Sequence, residues 1–176
     1  MANFYLAVER VLKIEGKYSD RAADSGGKTN FGITWLTARS FGYLGLMKNL
    51  TKGTAIDIYK KQFWDKLNLG LIDDQELAEK IFDINVNCGN KVKKYLQRSL
   101  NVFNRYGVTW PDIKVDGKIG KITISTVNRA TKSYMSKRNI IKSLNCLQGV
   151  RYIELAENKN RKDELNINGW FNKRIS

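Results

Sequence analysis

Residues Ile14–Asp20 read IEGKYSD, and Asp24–Thr34 read DSGGKTNFGIT. Between them they set the plan of the first part of the chain: an apolar helical run stops, and a glycine-rich turn follows. Upstream, Asn3 stands where it can cap a helix whose apolar residues Phe4, Ala7, Val8, Val11, Leu12 and Ile14 fall near helical spacing. Gly16 sits where helices commonly end, so Glu15 falls in the last turn. Downstream, Gly26-Gly27, Asn30 and Gly32 among short β-prone pieces predict a small hairpin between Lys17 and Thr34, the one β region expected.

Helical periodicity governs the rest. It predicts helices over Trp35–Phe41, over Thr54–Leu67 with Ile56, Tyr59 and Phe63 on one face, and over Asp74–Val86 with Leu77, Ile81 and Ile84 or Asn85 inward. A further helix over Lys91–Phe103 aligns Val92, Leu96, Leu100 and Phe103. Pro111 and Asp116-Gly117 mark a break and a turn, with Val115 and Ile119 tucked into the core. Helices follow over Ile122–Tyr134 and Arg138–Glu157, the latter with Ile141, Leu144, Leu147 or Gln148, Arg151 and Leu155 on its face. The fold class is mainly α with one small β-hairpin region, and a cut near Gly89 divides it into residues 1–88 and 89–176.

At 176 residues with 42% apolar and 27% charged composition, the chain suits a soluble globular protein able to bury a core. No apolar run approaches the roughly 20 residues that span a bilayer. The amino terminus lacks a basic stretch, apolar segment and cleavage site in series, so cytoplasmic synthesis without a signal peptide is expected. Cys88 and Cys146 show no metal or redox spacing and are expected to be buried free thiols.

The histidine count is zero. Ser-His, Cys-His and His-ligated zinc chemistry therefore drop out. Carboxylates, Lys and Tyr remain as acid/base groups, and carboxylates are the usual catalysts for cleaving glycosidic bonds. No metal or organic cofactor is expected. Thirty-one Lys and Arg against seventeen Asp and Glu, a formal charge of +14, predict attraction to a polyanion. Nucleic acid, an anionic membrane surface and an anionic wall polymer all qualify on charge, but no specific nucleic-acid recognition motif is present.

Glu15 is the acid to watch. A carboxylate at a helix C-terminus faces the negative end of the macrodipole, and enclosure by Tyr18 and Phe31 would add to the preference for a proton. Lys13 and Lys17 oppose both effects. Asp24 follows nine residues later and Thr29 five after that, on a turn able to fold back on the helix end. Asp24 could orient a water or offset oxocarbenium charge with Thr29 holding the water, and it equally suits an Asx turn before Ser25-Gly26-Gly27.

The run EGKYSDRAADSGGKTNFGIT resembles the start of the phage-endolysin-like muramidases of glycoside hydrolase family 108. TAIDIYKKQFWDKL (Thr54–Leu67) and FDINVNCGN (Phe82–Asn90) are similar to two further family segments, in order and spacing. In the second half, KVDGKIGKITISTVN (Lys114–Asn128), with KYLQRSLNV and GWFNKR, is similar to the predicted peptidoglycan-binding domain that commonly follows. The one departure is Lys17, where the family commonly has glycine.

The resemblance implies a lysozyme-like α+β fold, with a muramidase catalytic domain over 1–88 and a helical wall-binding domain over 89–176. It implies cleavage of the β-1,4 bond between N-acetylmuramic acid and N-acetylglucosamine in peptidoglycan glycan strands. Glu15 would be the general acid, and Asp24 and Thr29 would position water. Tyr18, Asn30, Phe31 and Thr34 would line the cleft, with Asn87 at its far wall. Of Trp35, Trp64, Trp110 and Trp170, each also suited to a core, Trp110 beside Pro111 is the best exposed candidate for stacking on sugar. A monomer is expected, acting in the periplasm or wall as a phage or prophage endolysin released through a holin lesion, or as a bacterial wall hydrolase assisting secretion. The rival readings are a lytic transglycosylase, which also uses one glutamate, and a non-catalytic basic protein that binds wall or nucleic acid.

Overall fold

A computed structural model describes residues 1–15, 18, 28–157, 164 and 166–175. The chain divides into two compact units, one of Phe4–Lys66 and one of Met1–Asn3 with Leu67–Ser176.

In the first unit, α1 (Phe4–Ile14) buries Phe4, Ala7, Val8 and Val11, the i, i+3, i+4, i+7 stripe expected of an amphipathic helix. Strands β1 (Thr29–Asn30) and β2 (Ile33–Thr34) pair antiparallel, Thr29 opposite Thr34 and Asn30 opposite Ile33. The two turn residues, Phe31 and Gly32, have φ of +52° and +74°, the left-handed pair that a tight two-residue hairpin requires. Helix α2 (Trp35–Phe41) starts directly from the hairpin, with Thr34 Oγ1 accepting the Thr37 N–H, and stops at Gly42 with φ +99°.

Helix α3 (Lys52–Tyr59) is capped by Thr51, whose Oγ1 accepts the Thr54 N–H. It runs into a π-helical turn over Lys60–Trp64 and a 3-10 turn over Asp65–Leu67. The π turn explains a burial pattern that a plain helix over Thr54–Leu67 does not. Tyr59 and Trp64 are both buried although five residues apart, a spacing that α geometry sends to diverging faces and i→i+5 bonding brings together. The Phe4 ring meets Trp64 edge-on at 5.7 Å, closing the core of this unit.

In the second unit, α4 (Gln75–Cys88) is capped by Asp74, whose Oδ1 accepts the Leu77 N–H at 2.9 Å. Helices α5 (Lys91–Val102), α6 (Lys121–Ala130), α7 (Tyr134–Ala156) and α8 (Ile167–Arg174) complete it. Helix α7 packs on α4, α5 and α8, and α6 packs on α5. Sequence periodicity did not reveal α8. It found the inward face of α7 only at Leu144 and at Gln148, the alternative to Leu147: the buried residues are Ile140, Leu144, Asn145, Gln148, Gly149, Tyr152 and Ala156, and Ile141, Arg151 and Leu155 are not among them.

The reason is a polar network. Gln148 Nε2 donates to Tyr152 Oη at 2.8 Å and to Asp83 Oδ2 at 3.2 Å, Arg174 of α8 pairs with Asp83 Oδ1, and Lys80 Nζ donates to the Arg174 carbonyl at 2.7 Å. A side chain whose amide nitrogen is paired in this way can turn inward, where a count of apolar residues does not look for it, although Gln148 Oε1 has no hydrogen-bond partner among the described residues. Burial pulls the Lys80 ammonium below its ordinary range against the opposing pull of Asp83, and burial raises the Tyr152 phenol. Both cysteines are free, but Cys88 is only half-buried and Cys146 is exposed, so the expectation of two buried thiols is corrected. Neither is needed to fill the core, which the aliphatic and aromatic residues of α4, α5 and α7 already close.

The Asp116-Gly117 turn is clamped by Gln97 of α5. Its Nε2 donates to Asp116 Oδ1 at 2.9 Å and to the Lys118 carbonyl at 3.1 Å, and its Oε1 accepts the Gly117 N–H at 2.8 Å. Gly117 has φ +76°. Ile119 and Ile113 are buried here, whereas Val115 is 37% exposed, because the turn faces its polar side chains toward Gln97 and leaves Val115 outside. Among the described residues no helix is long and apolar enough to cross a membrane.

Candidate active site

Glu15 is the residue at which α1 gives out. Its N–H still donates to the Val11 carbonyl at 2.9 Å, and its side chain is half-buried. The carboxyl group lies against the hairpin turn: a methyl group built on Gly32 would stand 2.5 Å from Glu15 Cγ and 2.6 Å from both Cδ and Oε2. The positive φ disfavours a side chain at Gly32, and any side chain there would push the glutamate aside.

The turn is held from two directions. Tyr59 of α3, fully buried, donates its phenolic O–H to the Phe31 carbonyl at 2.9 Å. Asn30, also buried, donates from Nδ2 to the carbonyls of Met47 at 2.9 Å and Leu50 at 3.4 Å. Ile33 anchors the far strand in the core with 1% exposure. A bulky residue such as Phe31 at positive φ is a costly conformation, of order 1–3 kcal/mol, so these attachments fix it in place.

The sequence-derived candidates fall into three groups. Thr29, Phe31 and Thr34 lie on the hairpin beside Gly32, with Thr29 across from Thr34 in the ladder. Thr34 Oγ1 accepts the cap hydrogen bond of α2, and Asn30 Nδ2 is taken up by the Met47 and Leu50 carbonyls. Tyr18 is 41% exposed. Asp24, with Gly16 and Lys17, lies outside the described residues.

Asn87 and Trp110 belong to the other unit. Asn87 Nδ2 donates back into its own helix, to the Asp83 carbonyl at 2.6 Å. Trp110 is 3% exposed, with its indole N–H on the Leu100 carbonyl at 3.0 Å. The proline beside it does not hold it out in a loop, so its selection as an exposed sugar platform is corrected. The exposed tryptophan is Trp35, 44% accessible, with the Arg39 guanidinium 5.3 Å from its ring centroid. Sequence reasoning passed over Gly32 and Tyr59. The Phe-Gly pair between two β-prone dipeptides was a signal for the first, and nothing local marked the second.

Residues 8–89, which contain Glu15, the hairpin and Tyr59, match the family described as Glycosyl hydrolase 108. Residues 91–175 match the family described as Predicted Peptidoglycan domain. Over its first segment the chain is similar to glycosyl hydrolase family 108. Its family 108 segment takes in α4, which packs with α5 and α7 in the second unit, so the family boundary and the packing boundary differ by one helix. Among solved structures, the chain is similar to that titled "Structure of Brucella abortus SagA", at 26% identity and a TM-score of 0.72, covering 97% of this chain and 88% of that one. No curated protein sequence matches the chain. A family 108 segment followed by a peptidoglycan domain supports a glycoside hydrolase directed at peptidoglycan.

Proposed function

We propose that the chain is an N-acetylmuramidase that hydrolyses the β-1,4 bond between N-acetylmuramic acid and N-acetylglucosamine, with Glu15 as general acid. The observation that carries this reading is the seating of Glu15 against Gly32 within the family 108 segment. A carboxyl group positioned by a helix end and a pinned turn can meet a leaving oxygen in one orientation, which is what proton transfer at the moment of bond cleavage needs. In the step itself the C1–O bond of the muramyl sugar breaks, Glu15 passes its proton to the departing O4, and water adds to C1 and loses a proton. Asp24 and Thr29 are assigned to holding that water, and Tyr18, Phe31 and Trp35 to the flank of the sugar. The basic surface would draw the enzyme to anionic wall or membrane material in a salt-sensitive way. Release through a holin-type lesion or a secretion-linked route would bring it to the wall as a monomer, and the support for that is the resemblance of the opening motif alone.

The test is mass spectrometry of purified, reduced peptidoglycan digests. Reduced muramic acid ends are expected. A product one water lighter, the anhydro-muramyl end, would make the enzyme a lytic transglycosylase, and new N-acetylglucosamine reducing ends would overturn the choice of bond. Glu15→Gln is expected to lower the cleavage rate by about 10²–10⁴-fold while the fold and wall binding are retained. Unchanged cleavage would remove Glu15 from the mechanism.

A further inference from the structure

Between the C-terminal end of α5 and the turn from α6 to α7 lies an open groove of about 740 Å³, within the range of small-ligand sites. Arg105, Arg129 and Lys132 line it, and no carboxylate does among the described residues. None of these cations forms an ion pair among the described residues, whereas Lys60, Lys91, Lys137, Arg151 and Arg174 each do. Three unneutralised cations around one concavity repel each other, an arrangement that an anion relieves. The second groove of this unit, about 580 Å³ and also lined by cations, is different: Glu76 lines it and, with Asp74, holds Lys137 at 2.9 and 3.2 Å.

The loop bearing Arg105 is built rather than slack. Arg105, Tyr106 and Gly107 have consecutive positive φ of +55°, +58° and +81°. The buried Asn104 holds that run: its Oδ1 accepts the Gly107 N–H at 3.2 Å, its carbonyl accepts the Thr109 hydroxyl at 2.8 Å, and its Nδ2 donates to Asp112 at 2.6 Å. A costly backbone conformation fixed from within presents Arg105 to the groove with no further backbone-ordering cost at binding. The apolar remainder of the lining is Val102, Phe103, Trp110 and Met135. Val102 and Met135 are 71% and 60% exposed.

We propose that this groove binds the carboxylate-bearing stem peptides of peptidoglycan. Guanidinium groups pair with carboxylates in bidentate fashion, and exposed apolar side chains next to them suit the aliphatic parts of a peptide better than a phosphodiester polymer. The proposal rests on the wall-hydrolase reading, and assigns to the second unit the task of holding a cross-linked, peptide-bearing strand.

The experiment is co-sedimentation of the full chain, carrying Glu15→Gln so that the wall persists, with phosphate-polymer-free peptidoglycan and with the same glycan stripped of stems by an amidase. The groove variant is Arg105→Gln/Arg129→Gln/Lys132→Gln. The control, Lys114→Ala/Lys121→Ala/Lys173→Ala, removes equal charge from exposed positions outside the groove. The expected result is a loss of about tenfold or more in affinity for intact wall in the groove variant. The control should lose less than about twofold, and unmodified groove on stripped glycan should bind as weakly as the groove variant on intact wall. Wild-type affinity in the groove variant, an equal loss in the control, or equal binding to intact and stripped glycan would each overturn the proposal. So would a groove effect seen only on wall still carrying a phosphate polymer. If the triple variant melts below the parent, Arg129→Gln and Lys132→Gln are measured singly and must each weaken binding to intact wall. Cleavage of intact, phosphate-polymer-free peptidoglycan by the otherwise unmodified chain is followed in parallel, so a failed hydrolase reading shows as no cleavage, while a failed groove shows as cleavage without the binding contrast.

Discussion

Gly32 and Glu15 lie so close that a Cβ at Gly32 would displace the glutamate side chain, its position being within 2.5–2.6 Å of the glutamate's Cγ, Cδ and Oε2. The helix end and the hairpin turn therefore form one unit of structure. Gly32→Ala is expected to destabilise the protein by about 1–3 kcal/mol through its positive φ, and to lower wall clearing by more than the lost stability explains, because Glu15 must move. A thermal melt and a turbidity assay on the same preparation check this. Full clearing by a folded Gly32→Ala protein would mean that the position of Glu15 against the turn is not required.

Tyr59 holds the hairpin turn from the buried side, donating its O–H to the Phe31 carbonyl at 2.9 Å. Tyr59→Phe keeps the ring and removes one hydrogen bond, so a stability loss of about 1 kcal/mol is expected. The rate constant for cleavage should fall more than KM rises, since what loosens is the turn that seats Glu15. Equal stability with a change confined to KM would assign Tyr59 to substrate binding instead.

Asp83 joins α4 to α7 and α8 through Gln148 and Arg174. Arg174 is buried, so Asp83→Asn removes the carboxylate that faces a buried guanidinium and should cost about 3 kcal/mol. Limited proteolysis should then cut at the C-terminal helix, which loses its attachment. A protease pattern unchanged from the parent would show that α8 is held by its aromatic contacts, Tyr152 with Trp170 and Phe171.

Burial pushes the Cys88 thiol from 9.0 to about 11. Its folded value lies above its unfolded one, so the neutral thiol contributes stability at full strength below pH 9, and that contribution is lost as pH rises through 11. Denaturation midpoints should fall over this window, and Cys88→Ser should flatten the fall. At pH 8 iodoacetamide should label the exposed Cys146 well before Cys88, read by peptide mass spectrometry.

Asp116 is held below the usual carboxylate range, first by its hydrogen bond from Gln97 and then by the Lys118 N–H. Its contribution is present above the unfolded carboxylate value and lost as pH falls through the lower folded one. Gln97→Leu should remove that acid-side dependence together with the clamp on the turn, and urea titrations at pH 6 and pH 3 separate the two effects.

The amino-acid sequence alone determined the helices that are amphipathic, the end of α1 at Glu15, the hairpin after it and the likeness to family 108, because each rests on periodicity, a glycine or a motif within a few residues. Tertiary structure alone decided that Gly32 is the surface on which Glu15 rests, that Tyr59 props the turn, that Trp110 is core and that α7 turns Gln148 rather than Leu147 inward, with Tyr152 beside it. These last depend on partners far along the chain, Phe31 for Tyr59, Leu100 for Trp110 and Asp83 for Gln148. A polar or aromatic group is buried when a partner awaits it, and the partner is named by packing rather than by spacing.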